Sequence, residues 1–455
     1  MDLPRQNLSQ MQAEVRFRRF HAGSDLVLLD YLSKAVQERT GQFGDLLLRG
    51  IDLSPFVELG CETGANGLAL VNRLGQRGIS VDLSLDALRA MEKYRARLGF
   101  AELPLRVCCD LHDLPIRTGA LAMALAWGTM HHFPDPRVPL AEARRVLARG
   151  GLFYFDGEPV RRLLSLNLRA TRSLQGMNPI ARALLRLRIL PWLFAIDGRE
   201  AMDAGALEMK FTALQWRRFV PALFERVQFR WGPYLTADMR SVSAPAWAAF
   251  RALLGEEIAC KVVTAFFGGV VSGEAFKLPP LAARMVPAGP GEVRVVIRKP
   301  RGNDRLLLRA PGAATPVVRV GTETLARGPD AEESVHVFRL PAYQAAGSVT
   351  EVVVAGLADA RALASIETDG PAGRVPAPIG DATPRPPFDG DLESLLACPS
   401  CRVPPASPFA EEDRPALTRT GGGYRCVACG TEYPIVDGVA VLLRPDLARR
   451  LGVLL

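Results

Sequence analysis

At 455 residues the chain is about three times the length of an ordinary 150-residue domain, which argues against one continuous core and for several units. Apolar residues make up 48%, charged residues 23% and aromatics 7%, enough for packed cores and too much for a disordered polymer; 41 glycines and 35 prolines follow no fixed period, which excludes collagen-like or low-complexity sequence. The net charge of +8 points to an anionic partner, with nucleic acid, a membrane surface and a phosphorylated substrate all open. No uncharged run reaches the roughly 18 residues of a membrane-spanning helix, and the first twenty residues (MDLPRQNLSQMQAEVRFRRF) hold no apolar signal-peptide core. The expectation is a cytoplasmic chain, with any membrane contact peripheral and on the inner face.

Residues 1–55 show helical periodicity at Leu26, Leu29, Leu32 and Val36 and end in the loop Asp52-Leu53-Ser54-Pro55. From 56 to about 158 strands and helices alternate: FVELG, a helix to 77, ISVDLS, a helix over 85–98, LRVCCD, LAMALAWG, a helix over 140–147, then LFYFDGEP. Such alternation predicts an α/β fold with a doubly wound, mostly parallel sheet covered by helices on both faces. A Leu/Arg-rich insertion over about 160–205 follows. After it come a helix in FTALQWRRFVPALF, a strand in VQFRWGPY, a helix over 246–254 and the apolar run VVTAFFGGVVSGEAFKL. The first unit is therefore placed at 1–280. Short runs split by turn residues (VRVVIRKP, RLLLR, VVRVG, VHVFRL, TEVVVAGL) make 288–370 a small β-sandwich. A Pro-rich linker over 371–391 leads to a last unit at 392–445.

The segment Val57-Glu58-Leu59-Gly60-Cys61-Glu62-Thr63-Gly64-Ala65-Asn66-Gly67 joins a predicted strand to a predicted helix, a turn that needs glycine where φ is positive or where backbone meets a ligand. Asp82 ends the next strand, where a carboxylate can accept both hydroxyls of a ribose, and Asp110 ends the one after. The ordered blocks VELGCETG, VDLSLDAL, CDLHDLP, MHHFPDP and EARRVLARGG resemble the class I S-adenosylmethionine-dependent methyltransferases, in their small-molecule branch, over about 56–160. That resemblance implies S-adenosylmethionine as cofactor. Glu58, Gly60, Cys61 and Gly64 would bound its methionine part, Asp82 with Leu83 its ribose and Asp110 with Leu111 its adenine, and the loop from Trp127 would pass beneath the sulfonium. One position departs: Glu62 stands where that family has a glycine.

Methyl transfer needs alignment, desolvation and, for a hydroxyl or amine acceptor, a base. His131 and His132 follow a strand end, and one of them could be that base or both could order the loop. Glu158, at the end of LFYFDGEP, could bind an acceptor hydroxyl or cap the following helix. Cys108, Cys109 and Cys260 read as core; His112 is a weak candidate near the adenine. Arg161, Arg162, Arg169, Arg172, Arg182, Arg186 and Arg188 are interleaved with apolar residues up to Phe194, without a compensating acid. The stretch reads either as a peripheral membrane contact at Arg161–Phe194 and a lid for a lipid-linked or phosphate-bearing acceptor, or as a helical hairpin with solvated arginines. Nucleic acid has few stacking aromatics to meet there.

Eight cysteines are too few for a disulfide scaffold. Cys398 with Cys401, and Cys426 with Cys429, make two C-x-x-C knuckles, the pattern of a closed structural zinc site. The text around them, LLACPSC and YRCVACGTEYPIVDGVAVLL, resembles the zinc-ribbon proteins that activate methyltransferases of tRNA and release factors, with an insertion-like stretch between the knuckles. Taken together, the sequence reads as a methyltransferase for an oxygen or nitrogen of a small or lipid-linked acceptor, a saccharide included. An RNA or protein methyltransferase and a non-catalytic scaffold are the rivals.

Overall fold

The computed structural model describes residues 6–21, 26–161, 180, 209–224, 226–233, 248–249, 251–267, 269–277, 285–298, 305–310, 316–320, 322–328, 335–340, 349–357, 363, 365–370, 373–376, 388–401 and 414–454. The arginine-rich insertion and its membrane reading lie outside them, apart from Arg161 and Ile180, as does most of the Pro-rich linker. Among the described residues no helix is long and apolar enough to cross a membrane.

Two helices, α1 (Leu8–His21) and α2 (Leu26–Leu48), precede the alternating region. That region runs β1 (Phe56–Leu59), α3 (Ala65–Leu74), β2 (Gly78–Asp82), α4 (Leu85–Arg97), β3 (Leu105–Cys108), β4 (Leu121–Trp127), α5 (Arg137–Val146) and β5 (Leu147–Val160). β1 and β2 are buried at every residue, as strands covered on both faces must be. α4 starts at Leu85 because the Ser84 hydroxyl caps the Ala87 N–H, and α3 stops where Gly75 turns left-handed. β1 to β5 are parallel and lie in the order β3-β2-β1-β4-β5. The order reverses between β1 and β4, and in such sheets ligands bind at the carboxyl ends of the strands beside that reversal.

The sheet continues with α6 (Ala213–Phe219), β6 (Arg226–Pro233), α7 (Glu256–Phe267) and β7 (Gly269–Phe276). The apolar run after 260 is thus two elements. β7 slots between β5 and β6, antiparallel to both. Its alternation hid a charge that belongs there: Glu274, 1% exposed, is clasped by Arg49, in the turn after α2, at 2.9 and 2.7 Å and by Arg230 of β6 at 3.0 Å. This pairing holds the carboxyl of Glu274 below its usual range although burial pushes it up.

The sandwich is antiparallel, with β8 (Met285–Gly289), β9 (Glu292–Arg298), β11 (Val317–Val320), β12 (Glu323–Thr324) and β14 (Val349–Ala355) in one sheet. The other holds β10 (Arg305–Arg309), β13 (Val335–Arg339), β15 (Ser365–Gly370) and β16 (Gly373–Pro376). It therefore starts before 288 and passes 370. Pro376 is tolerated because, among the described residues, β16 is the edge strand of its sheet, paired to β15. Val293, Val295, Ile297, Leu306, Leu308 and Val352 fill a core of its own.

The last unit comprises β17 (Leu417–Arg419), β18 (Gly423–Cys426), β19 (Glu432–Val436), β20 (Val439–Val441) and α8 (Pro445–Arg450). β20 pairs in parallel with β3, so the ribbon and the first unit share one eleven-stranded sheet. They also share a core, in which Leu396, Cys398, Leu417, Tyr424 and Tyr433 pack with Val107, Leu114, Ile116 and Leu140. Arg414 pins the junction: it donates to the Leu114 carbonyl at 2.8 Å and to Glu142 at 3.1 Å, beside Asp113 at 3.7 Å. Replacing Arg414 by alanine removes one of the two guanidinium groups that hold Glu142 in a buried site and should lower stability by about 3 kcal/mol. Urea unfolding followed by tryptophan fluorescence reads this through Trp216 in the shared core; an unchanged midpoint would show that the ribbon docks without Arg414.

Candidate functional site

The glycine turn sits at the carboxyl end of β1. Gly60 has φ +63, and a Cβ there would fall 2.5 Å from Thr129 Cγ2, so only glycine lets the turn approach the β4 loop. Behind the turn, Glu58 is 1% exposed and accepts from Asn66 Nδ2 (2.8 Å), the Gly67 N–H (3.0 Å) and the Ser80 hydroxyl (2.8 Å). Its carboxylate ties β1 to α3 and β2 and does not face a ligand. Cys61 is likewise turned inward, with Sγ 3.9 Å from Met91 Sδ, and burial raises its thiol well above the ordinary value. Glu62 is exposed and has φ +46, a left-handed backbone that strains any residue but glycine. Its side chain turns to solvent, and its N–H donates to Asp82 Oδ2 at 2.9 Å.

Asp82 Oδ1 accepts the Ser84 N–H at 2.8 Å, so both of its oxygens are fixed by backbone. Asp110, at the end of β3, accepts the N–H of His112 at 2.9 Å and faces its Nδ1 at 2.7 Å. A cavity opens between these groups. Gly60, Asp82, Leu83, Asp110, Leu111 and His132 line it, with Ser84, Thr129, Phe133, Gln6 just before α1, and Glu14 and Val15 from α1.

Glu58, Cys61, Gly64, Trp127, His131 and Glu158 do not line it. Trp127 packs on the α2 side, with the Arg39 guanidinium 3.2 Å from its ring centroid. Glu158 is fully buried beneath the turn at Met130–His132: one oxygen accepts the N–H groups of Thr129 and Met130 at 2.8 Å. The other accepts the N–H of His131 at 3.1 Å and faces its Nδ1 at the same distance. Glu158 thus caps the preceding turn, and it orders His131. His132 is left at the cavity wall. The sequence reading missed the wall built by α1, although a signal exists: Glu14 is the one acid in Leu8–His21.

The four ribbon cysteines converge, with all sulfurs within 4.8 Å of one another. The Cys398–Cys429 and Cys401–Cys426 separations of 3.7 and 3.6 Å match the roughly 3.7 Å edge of a tetrahedral thiolate site and are far beyond a disulfide. Hydrogen bonds from Thr431 lower the Cys429 thiol to about 6, whereas burial raises the thiols of Cys398 and Cys401.

A family model described as a methyltransferase domain matches residues 57–155. An uncharacterized 37.1 kDa protein of a Streptomyces fradiae transposon is 29% identical over 137 residues, 29% of this chain and 39% of that protein. The malonyl-[acyl-carrier protein] O-methyltransferase of Geobacter sulfurreducens is 32% identical over 138 residues, 30% of this chain and 50% of that enzyme. The chain thus spans half or less of the length of these curated relatives. Among solved structures, the geranyl diphosphate C-methyltransferase of Streptomyces coelicolor is similar with 14% identity and a TM-score of 0.33, covering 53% of this chain and 77% of that one.

Burial raises the Glu58 carboxyl to about 7 against its three hydrogen bonds. The folded chain then keeps a proton that the unfolded chain releases near 4.5, so Glu58 favours the fold at low pH and this contribution is lost as pH rises through 7. Urea midpoints between pH 5 and 8 should fall more steeply in the wild type than in Glu58→Gln; parallel slopes would assign the pH dependence elsewhere. With Glu58 holding the turn and Asp82 and Asp110 at the cavity, the residues 57–155 that match the methyltransferase-domain model carry the Rossmann-like, mostly parallel sheet.

Proposed function

We propose that the chain is an S-adenosylmethionine-dependent methyltransferase whose acceptor is an oxygen or nitrogen of a small or lipid-linked molecule. The observation that carries this reading is the cavity in which Gly60, Asp82 and Asp110 meet at the ends of three neighbouring strands. The donor set fits the cofactor: Asp82, already held by two backbone N–H groups, would take the ribose hydroxyls without reorganising, and Leu111 and Phe133 offer apolar surface for a base. When bound, the cofactor supplies an electrophilic methyl group on a sulfonium. The protein's part is to orient the acceptor, exclude water and accept its proton. His132, at the cavity wall, is the group in reach for that last task, whereas His131 is committed to Glu158.

The exposed side chain of Glu62 keeps its charge out of the cavity, which supports cofactor binding despite the missing glycine. Calorimetry with S-adenosylmethionine should give a 1:1 complex in the wild type, lost in Asp82→Ala and kept in Glu62→Gly. No heat from either the wild type or Glu62→Gly would overturn the enzyme reading in favour of a scaffold. The four-sulfur site reads as structural zinc, since four thiolates leave no open position for a reacting water. One zinc per chain is expected on elemental analysis, and chelation should unfold the shared core as well as the ribbon; a metal-free chain with unchanged stability would rule zinc out.

A further inference from the structure

The helix α1 does more than wall the cavity. Its single acid, Glu14, is 8% exposed, and its Oε1 lies 3.2 Å from His132 Nδ1. Gln6, just before the helix, donates from Nε2 to the His132 carbonyl at 2.5 Å and from its N–H toward His112 Nε2 at 3.4 Å. On its outer side α1 is held by the far end of the chain: Met11 packs with Leu447 and Leu451, and Gln12 Nε2 donates to the Arg450 carbonyl at 2.8 Å. A carboxylate separated from the imidazole by more than a hundred residues is thus set against one named ring nitrogen.

A carboxylate at Nδ1 selects the tautomer that carries hydrogen there and favours the charged imidazolium. We propose that Glu14 is the positioning residue for His132: it accepts the Nδ1 hydrogen, places the lone pair on Nε2, and balances the charge when Nε2 takes the acceptor's proton. This rests on the reading of His132 as the base. In the transfer step the acceptor's O–H or N–H bond breaks, and the proton goes to Nε2. The electron pair on oxygen or nitrogen forms the bond to the methyl carbon, and the carbon–sulfur pair stays on sulfur. The imidazolium then faces Glu14, so the site ends with a neutral pair.

The other ionisable groups around His132 are arranged differently. His131 lies against it with ring centroids 4.3 Å apart and the planes tilted by 36°, and is itself turned to Glu158 of β5. Asp82 and Asp110 lie across the cavity at the ends of β2 and β3, and His112 faces Asp110. Among the described contacts, Glu14 is the carboxylate set against an His132 ring nitrogen.

The chain has five histidines, so nitrogen-labelled imidazole spectra of the full protein can follow His132 directly, with His132→Asn for assignment. In Glu14→Gln the His132 titration should fall by about one pH unit and its neutral form shift toward the Nε2–H tautomer, with the amide spectrum elsewhere unchanged; Glu14→Asp should recover part of the shift. A midpoint and tautomer in Glu14→Gln equal to those of the wild type overturn the proposal. A second arm measures transfer from isotope-labelled S-adenosylmethionine to fractionated cell extract against pH. There His132→Asn should lose about 100-fold and Glu14→Gln about tenfold at neutral pH. Unchanged transfer in both variants, with the His132 titration shifted in Glu14→Gln, would overturn the base reading and leave the Glu14–His132 coupling standing.

Discussion

An open strand edge is the constraint from which the rest of the molecule follows. The parallel sheet of the first unit ends at β3, and a buried edge there would leave backbone N–H and C=O groups without partners. β20 supplies them through the pairings Ala440 with Val107 and Val441 with Cys108, extended by the Leu442 N–H on the Cys108 carbonyl at 2.9 Å. Once β20 is in place, Tyr424, Tyr433 and Leu417 of the ribbon fall into the same core as Val107 and Leu140. The four-cysteine site is consequently a fastening of the parallel sheet. α8 follows from the ribbon onto α1, so the wall of the cavity is braced by the element farthest from it in sequence.

Buried glutamates fix the joints of this arrangement. Glu58 ties the glycine turn to β2, Glu142 joins α5 to the ribbon through Arg414, Glu158 gathers three consecutive backbone N–H groups under the His131 turn, and Glu274 clamps β7 between the turn after α2 and β6. Each is at most 6% exposed. Such groups hold geometry more than they add stability, because desolvation takes back much of what their hydrogen bonds supply, yet removing one partner strands a charge. Two of them, Glu58 and Glu158, were legible as acids at strand ends and illegible as to direction. Strand periodicity says which face a residue takes, not whether its carboxylate turns toward the cavity or toward the nearest backbone donors.

What the sequence carried well was local. The β1 turn, Asp82, Asp110 and the cysteine knuckles are each encoded within a few residues of one strand end or one turn, and the structure brings the first three groups to one cavity and the sulfurs to one point. What it carried poorly depends on distant partners. β7 reads as an apolar run because nothing local says it will be threaded antiparallel between β5 and β6. Gly373–Pro376 reads as linker because its proline is acceptable only at an edge whose existence depends on β15. Glu14 reads as one charge on a basic helix until α1 is seen against His132.

The pairing of β20 with β3 also sets a timetable. About 330 residues separate the two strands, so at 5–20 residues per second a ribosome needs roughly 20 to 60 s to deliver the second after the first. Through that interval the nascent sheet presents β3 as a bare, apolar border, with the sandwich being made meanwhile. The chain must either be sheltered or wait partly folded until its ribbon emerges, and a translation pause between the two would lengthen the period in which a foreign strand can take the place of β20.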